Sequence, residues 1–409
     1  MSVRRFRSTV TDPRARGVEF GTTFATEVAA SVDAYRGLFD GAARAAGRIG
    51  AGEHIDLAHW GGLALARIDS FAPELGAEIR GIAGGAALPV YEVAAINART
   101  EILAACGAAA HECSTVVRLI DGAAPVSVQC WDWYSEFADL WLLWEIPRSD
   151  GGTTVTVTEF GIVGKAGVNG RGLGLHFNIL HHEADGSTVD GGVMGVPVHV
   201  LARAVLDRSL DLNQAMVTIA AAPVSASTSL TLVAAQRRPD GRVESAAVSC
   251  EVNPEKIGYA LPDPEGLLVH TNHFLSEPAR LRDTELVGGP DTVIRYDQLR
   301  RRLVGRDVTV ESAVAAMDSH LMGGGATCCH PDSTLPPPAP GAARAGGVPP
   351  APGAERAGRV PPAQFATLAT IALDVPAGTV RVHAGGPCTA GRAFTAETST
   401  DQYKEFEHA

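Results

Sequence analysis

Apolar positions recur at helical spacing along residues 22–47, "TTFATEVAASVDAYRGLFDGAARAAG". Phe24, Val28, Val32, Tyr35, Leu38 and Phe39 make one stripe among helix-favouring residues, which predicts an amphipathic helix. The segments 72–86, "APELGAEIRGIAGGA", and 89–104, "PVYEVAAINARTEILA", predict two more, the latter with Pro near its first turn. The pattern changes at Cys113. "STVVRLI" is β-branched, "DGAAP" is a turn and "VSVQCWDW" reads as a returning strand. A second pair, "TTVTVTEFGIVG" and "LGLHFNIL", flanks "KAGVNGRG". Further strands are expected at "SLTLVAAQ", "VESAAVSCEV", "GLLVHTNHF" and "LATIALDV", with helices at 196–207 and 296–305. Helices, then mostly antiparallel strands, then more helices indicate an α+β layered fold.

Residues 331–363 break this pattern. "PGAARAGGVPPA" (340–351) is followed by "PGAERAGRVPPA" (352–363), a tandem repeat altered at two positions. Two copies rich in Pro, Ala and Gly cannot bury a core, so a disordered insertion is expected there.

Composition narrows the function. The chain has 409 residues and a formal net charge of −12, which argues against nucleic acid or an anionic membrane as partner. No apolar run approaches the ~20 residues that span a bilayer. The start, "MSVRRFRSTV", lacks a following apolar stretch, so no signal peptide is expected and the chain reads as cytoplasmic. Seven cysteines without a C-x-x-C argue against a disulfide framework or a zinc ribbon.

One cysteine stands apart. Taken alone, Cys113 is a small core residue, the common fate of a free cysteine. Yet it opens a predicted strand, has hydroxyls beside it at Ser114 and Thr115, and faces a hairpin that returns Asp132 between Trp131 and Trp133. No motif of a papain-type protease is present. Another route to an active thiol uses the nucleophile's own α-amine as base, with a pKa near ~7.7–8.0. That route requires scission of the Glu112–Cys113 bond.

Six ordered motifs now carry a resemblance. They are "GIAGGAALPVYEVAAINARTEI" (81–102), "ECST" (112–115), "QCWDW" (129–133), "TEFGIVGKAGVNGRGLGLHFNIL" (158–180), "GVPVHVLARAVL" (195–206) and "GLLVHTNHFL" (266–275). With them the chain resembles the acyl-coenzyme A:6-aminopenicillanic acid acyltransferase (isopenicillin N acyltransferase-like) family of N-terminal nucleophile (Ntn) hydrolases. The resemblance covers nearly everything except the Pro-rich repeat. It implies a single four-layer αββα domain over 1–409, with two antiparallel sheets between helical layers. It also implies self-cleavage between Glu112 and Cys113, leaving 1–112 and 113–409 associated. Cys113 is then the nucleophile, Asp132 orients its amine, and Asn272 of "HTNHF" serves the oxyanion. The substrate is a small acyl-amide or an acyl thioester, coenzyme A included, and no cofactor or metal is expected.

The leading reading is thus an amidohydrolase acting through an acyl-thioester. An acyltransferase passing the acyl group to an amine shares that intermediate, and a non-catalytic scaffold is a third reading. "GRGLG" at 170–174 precedes a strand, and "VGKA" lacks the hydroxyl of a phosphate loop, so no nucleotide site is expected. Asn97, Arg99 and Glu101 read as a buried network before the cut. His176 and Asn178 either face the pocket or line the polar side of a strand. The adjacent pair His181 and His182, with Glu183, would point to opposite faces and is not expected to hold a metal. Cys329 stands where many relatives carry an arginine, which puts a carboxylate substrate of the β-lactam type in doubt. Gln129 stands where the bile-salt and penicillin V hydrolase branch has arginine, which favours the acyltransferase-like branch.

Overall fold

A computed structural model describes residues 3–108, 113–189, 191–277, 279–331, 365–390, 394 and 396–399. The chain begins with β1 (Arg5–Arg7) and then α1 (Pro13–Thr23), α2 (Ala25–Ala45), α3 (Leu57–Phe71), α4 (Pro73–Gly85), α5 (Val90–Asn97) and α6 (Arg99–Ala105). There follow β2 (Cys113–Arg118), β3 (Val126–Tyr134), β4 (Trp141–Pro147), β5 (Thr153–Glu159), β6 (Ala166–Asn169) and β7 (Leu173–Ile179). Helices α7 (Val198–Arg208) and α8 (Leu212–Ala220) precede β8 (Thr228–Arg237), β9 (Val243–Val252), β10 (Ile257–Ala260) and β11 (Leu267–His270). Next are α9 (Glu285–Gly288), α10 (Asp291–Leu303) and α11 (Val310–Met317), then β12 (Phe365–Asp374), β13 (Thr379–Ala384), α12 (Pro387–Ala390) and β14 (Ala396–Ser399).

These strands make two sheets. One runs β1-β4-β5-β6-β7-β8-β9-β10 and the other β11-β2-β3-β12-β13-β14. Pairing is antiparallel except where β1 joins β4 in parallel. The sheets meet face to face where β2 lies on β7 and β13 on β5 and β6. Alternation fixes which side chains enter this seam. Thr115 and Gln129 of the smaller sheet meet Asn178 of the larger one there. The opposite face turns Val116, Val128, Val269 and Ala372 towards Leu299, Leu303, Val314 and Met317 of α10 and α11. Helix α7 covers β6 and β7. The layers are therefore helix, sheet, sheet, helix: the αββα sandwich that the resemblance implies.

Every strand expected from the sequence is present, within a few residues at its ends. The expected helix over 89–104 is two, broken at Ala98. Asn97 occupies the break, donating to Val93 O and Gly161 O and accepting from Val163 N. Arg99 pairs with Glu159 and lies 4.1 Å above the Trp133 ring. Glu101 accepts from Val198 N. The three residues are buried and fasten α5 and α6 to the loop after β5 and to the start of α7. Residues 332–363 of the expected insertion lie outside the described residues, as do His111 and Glu112.

Helix α1 carries no clear apolar stripe, and the reason is its packing. It meets α4 through glycines. A Cβ on Gly17 would stand 2.1 Å from Glu78 O, and one on Gly21 2.1 Å from Ile82 O. Gly81 and Gly85 answer from the other side, at 2.2 Å from Arg14 O and 2.5 Å from Val18 O. Gly17→Ala should therefore force the helices apart and lower stability by about 1–3 kcal/mol. Gly37, exposed on α2 with open space around its Cα, is the control, and Gly37→Ala should gain up to about 1 kcal/mol. Thermal unfolding of the two variants checks the pair, and equal midpoints would contradict the close approach.

Candidate active site

Cys113 is the first residue of β2 and is buried at the seam. On one side it pairs with Trp131 of β3. On the other side, β11 pairs His270 with Thr115. Continuing that antiparallel register by two residues sets Asn272 level with Cys113. The contact is made: Cys113 N donates to Asn272 Oδ1 at 3.0 Å.

The turn that carries Asn272 is anchored from two elements. Glu251 of β9 pairs with His270 at 2.7 Å and accepts from Leu275 N and Ser276 N. Thr292 of α10 accepts from Asn272 N at 2.8 Å. Asn272 spends its own NH2 on Ile179 O at 2.8 Å. Its carbonyl oxygen, shared between Cys113 N and Arg295 Nη2, thus points at the nucleophile's nitrogen, whereas the resemblance implies that the Asn272 NH2 donates to an oxyanion.

The carbonyl of Cys113 is held as firmly as its N–H. Asn178 Nδ2 donates to it at 2.9 Å and Arg295 Nη1 at 3.3 Å. Arg295 also donates to Ser114 Oγ at 3.1 Å, and Nε pairs with Asp291 at 3.0 Å. Asn178 therefore faces the pocket, one of the two placements open from the sequence. His176 does not reach Cys113; it bonds Ser127 at 2.8 Å, and burial drives its pKa down to about 3.

Asp132 is buried one residue beyond the Cys113–Trp131 pair, with Thr367 of β12 opposite. Its backbone N–H and its charge both act on the Cys113 thiol. Burial pushes that thiol up to about 11, and the Asp132 charge adds to the rise. Lys165 and Arg295 work the other way. At neutral pH the thiol of the intact chain is protonated, so attack needs a base.

Lys165 is the residue that motif reading misses most clearly. It is fully buried at the start of the β6 region, with Nζ 4.7 Å from the Trp131 ring and 4.9 Å from the Phe177 ring. Among the described residues Nζ has no hydrogen-bond partner, and burial lowers its pKa to about 7. The available signal was rarity: the chain has three lysines, and this one lies inside the apolar stretch "GIVGKAGV". Arg295 had no such signal, being one arginine among many in "TVIRYDQLRRR".

The remaining candidates lie elsewhere. His181 approaches Glu285 at 3.7 Å, Glu183 pairs with Arg282, and His182 stacks edge-on to Phe274. Cys329 is buried, and its Sγ lies 3.3 Å from both Gly324 O and Phe365 O, which compete for its single proton. Gln129 donates to Thr115 Oγ1 and Phe177 O inside the seam.

Comparisons with known proteins bear on this geometry. The family described as acyl-coenzyme A:6-aminopenicillanic acid acyl-transferase matches residues 122–311, a span that contains Asp132, Lys165, Asn178, Asn272 and Arg295. That match spans just under half of the chain. The acyl-coenzyme A:6-aminopenicillanic-acid-acyltransferase 40 kDa form of Emericella nidulans is 29% identical over 235 residues, 58% of this chain and 61% of that protein. Among solved structures, penicillin V acylase from Agrobacterium tumefaciens aligns with a TM-score of 0.40 and 12% identity, covering 66% of this chain and 82% of that one.

The surroundings of Cys113 depend on charge and on shape, and Arg295 supplies both. Arg295→Met should raise the Cys113 pKa further and slow its alkylation by iodoacetamide at a given pH. Arg295→Lys keeps the charge and should restore the alkylation profile, while being unable to bridge the same three acceptors. Peptide mass spectrometry across a pH series reads both, and an unchanged profile in Arg295→Met would contradict the electrostatic role.

Proposed function

We propose that this protein is a self-processing cysteine Ntn amidohydrolase that acts on a small acyl-amide through an acyl-thioester on Cys113. The observation that carries this reading is the double hold on Cys113. Its nitrogen faces Asn272 Oδ1, and its carbonyl is fixed by Asn178 and Arg295. What sets Cys113 apart is that these partners are side chains brought from the turn after β11, from β7 and from α10.

In the first reaction the Sγ of Cys113 attacks the carbonyl carbon of Glu112. The peptide nitrogen leaves with a proton, and a thioester forms. Water then adds to the thioester, releasing 1–112 as a carboxylic acid and regenerating the thiol. Asn272 Oδ1, which accepts from the peptide N–H beforehand, accepts from the new α-amine afterwards. That amine, with a free pKa near ~7.7–8.0, is the base that the buried thiol lacks in the intact chain. Asp132 orients it. The ties from Asn97, Arg99 and Glu101 to the rest of the fold keep 1–112 in place after scission.

In turnover the same Sγ attacks the acyl carbonyl of a substrate, and the α-amine passes the thiol proton to the leaving amine. A narrow cleft of about 10 Å³, room for roughly one water, lies beside Ile179 and is lined by Leu103, Ala104, Ala108, Leu180 and Ala226 among others. Ile179 joins cleft to catalyst, because its carbonyl holds the Asn272 amide.

Acyl transfer to an amine is the second reading, favoured by the family match and by the acyltransferase name of the Emericella nidulans relative. The two readings diverge only when the thioester meets water or an amine. Intact-mass spectrometry of the incubated chain should give two pieces that sum to the full mass plus one water. Cys113→Ala should stay whole and inactive. Cutting at 112/113 in that variant would defeat self-processing. With acyl-amide and acyl-coenzyme A donors, free acid marks the hydrolase, and a new amide formed with added amine marks the transferase.

A further inference from the structure

Away from the seam, the fold gathers four sulfur and nitrogen donors from distant parts of the chain. His320, Cys328 and His330 belong to the segment after α11, and Cys388 belongs to α12. One ligand atom from each lies within 4.8 Å of every other. We propose that these four residues bind a zinc ion in a structural Cys2His2 site.

The distances fit that ion. A tetrahedral zinc with Zn–N near ~2.1 Å and Zn–S near ~2.3 Å sets its ligand atoms about 3.3–3.8 Å apart. His330 Nε2 stands 3.2 Å from His320 Nε2, 3.2 Å from Cys388 Sγ and 3.5 Å from Cys328 Sγ. Hydrogen bonding alone accounts poorly for this convergence. One imidazole nitrogen carries either a single proton or a single lone pair, so it cannot satisfy three partners together. A cation at the centre accepts from all four. Two thiolates and two imidazoles select zinc over harder divalent ions, and four protein ligands close the site to substrate.

Two further observations support a built site. Asp318 Oδ1 lies 3.6 Å from His320 Nδ1, on the side of the ring away from the cluster. At 3.6 Å this is an ion-pair approach rather than a hydrogen bond, on the side from which a carboxylate favours the tautomer that leaves Nε2 for metal. Gly386 makes the room: a Cβ there would stand 2.6 Å from Cys328 Sγ and 3.8 Å from the His330 ring.

The site has a consequence for the active centre. Between its two ligands, Cys329 is joined to Thr367 by paired bonds of 2.9 Å, Cys329 N to Thr367 Oγ1 and Thr367 N to Cys329 O. Thr367 in turn pairs with Asp132. In sequence, His330 and Cys388 flank the Pro-rich repeat, so the ion staples together the two sides from which the repeat departs. Spacing alone hides the site, because no C-x-x-C or H-x-x-x-H announces it and Cys388 is contributed from far along the chain.

The test is metal content of the untagged, reduced full-length protein grown with zinc, together with cobalt(II) substitution. About one zinc per chain is expected, and the cobalt form should show thiolate-to-metal charge-transfer bands. Cys388→Ser and His330→Ala should each lose the bound zinc, with folding checked by circular dichroism. Asp318→Asn keeps all four ligands and should weaken zinc about tenfold or more, which gives a readout if a ligand variant fails to fold. Cys113→Ala should retain the metal. Absence of zinc and of charge-transfer bands, or zinc retained in full by Cys388→Ser and His330→Ala, would overturn the proposal.

Discussion

The centre of this protein depends on how both polar ends of one residue, the N–H and the C=O of Cys113, are satisfied in the buried seam between the two sheets. Leaving either unpaired there would cost roughly 1–3 kcal/mol. Asn272 meets the nitrogen, and Asn178 and Arg295 meet the oxygen. These partners come from the turn after β11, from β7 and from α10, so both sheets and one helical layer converge on a single residue. Arg295 ties the set together, since its fork reaches Cys113 O, Ser114 Oγ and Asn272 Oδ1. A guanidinium at this depth stays charged and needs those acceptors, just as they need donors.

That arrangement also explains why the thiol is quiet in the intact chain. Burial and Asp132 hold its proton on, against the pull of Lys165 and Arg295. In the proposed scheme the protonated thiol makes the first attack with its proton passing to the departing peptide nitrogen, and every later turnover needs a base beside it. A freed α-amine in the place of the Cys113 peptide nitrogen is such a base, and its acceptor, Asn272 Oδ1, is already positioned.

Much of this was legible along the chain. Alternation gave the strands, and the turn "DGAAP" folded Asp132 back beside Cys113, because a one-residue slip would move every buried side chain of these strands to the wrong face. The succession of elements indicated an α+β layered fold, and the αββα order was implied by the family resemblance alone. Less visible were features that depend on contacts between distant segments. Helix α1 escaped notice because glycine, not an apolar stripe, makes its interface with α4. Asn272 was found by its motif, but the direction of its amide was not, since that is fixed by Ile179 O and Arg295 from elsewhere in the fold. Lys165 and Arg295 act through burial and charge near a thiol, properties that no local spacing encodes.

The central claim is that Cys113, freed at its amino terminus, carries the acyl group. Its most direct test is tandem mass spectrometry of protein quenched in acid during turnover of a slow acyl donor. The account predicts one acyl mass on Cys113, at the terminus of a chain that begins with that residue. An acyl group on any other side chain, or on a Cys113 still joined to Glu112, would contradict it.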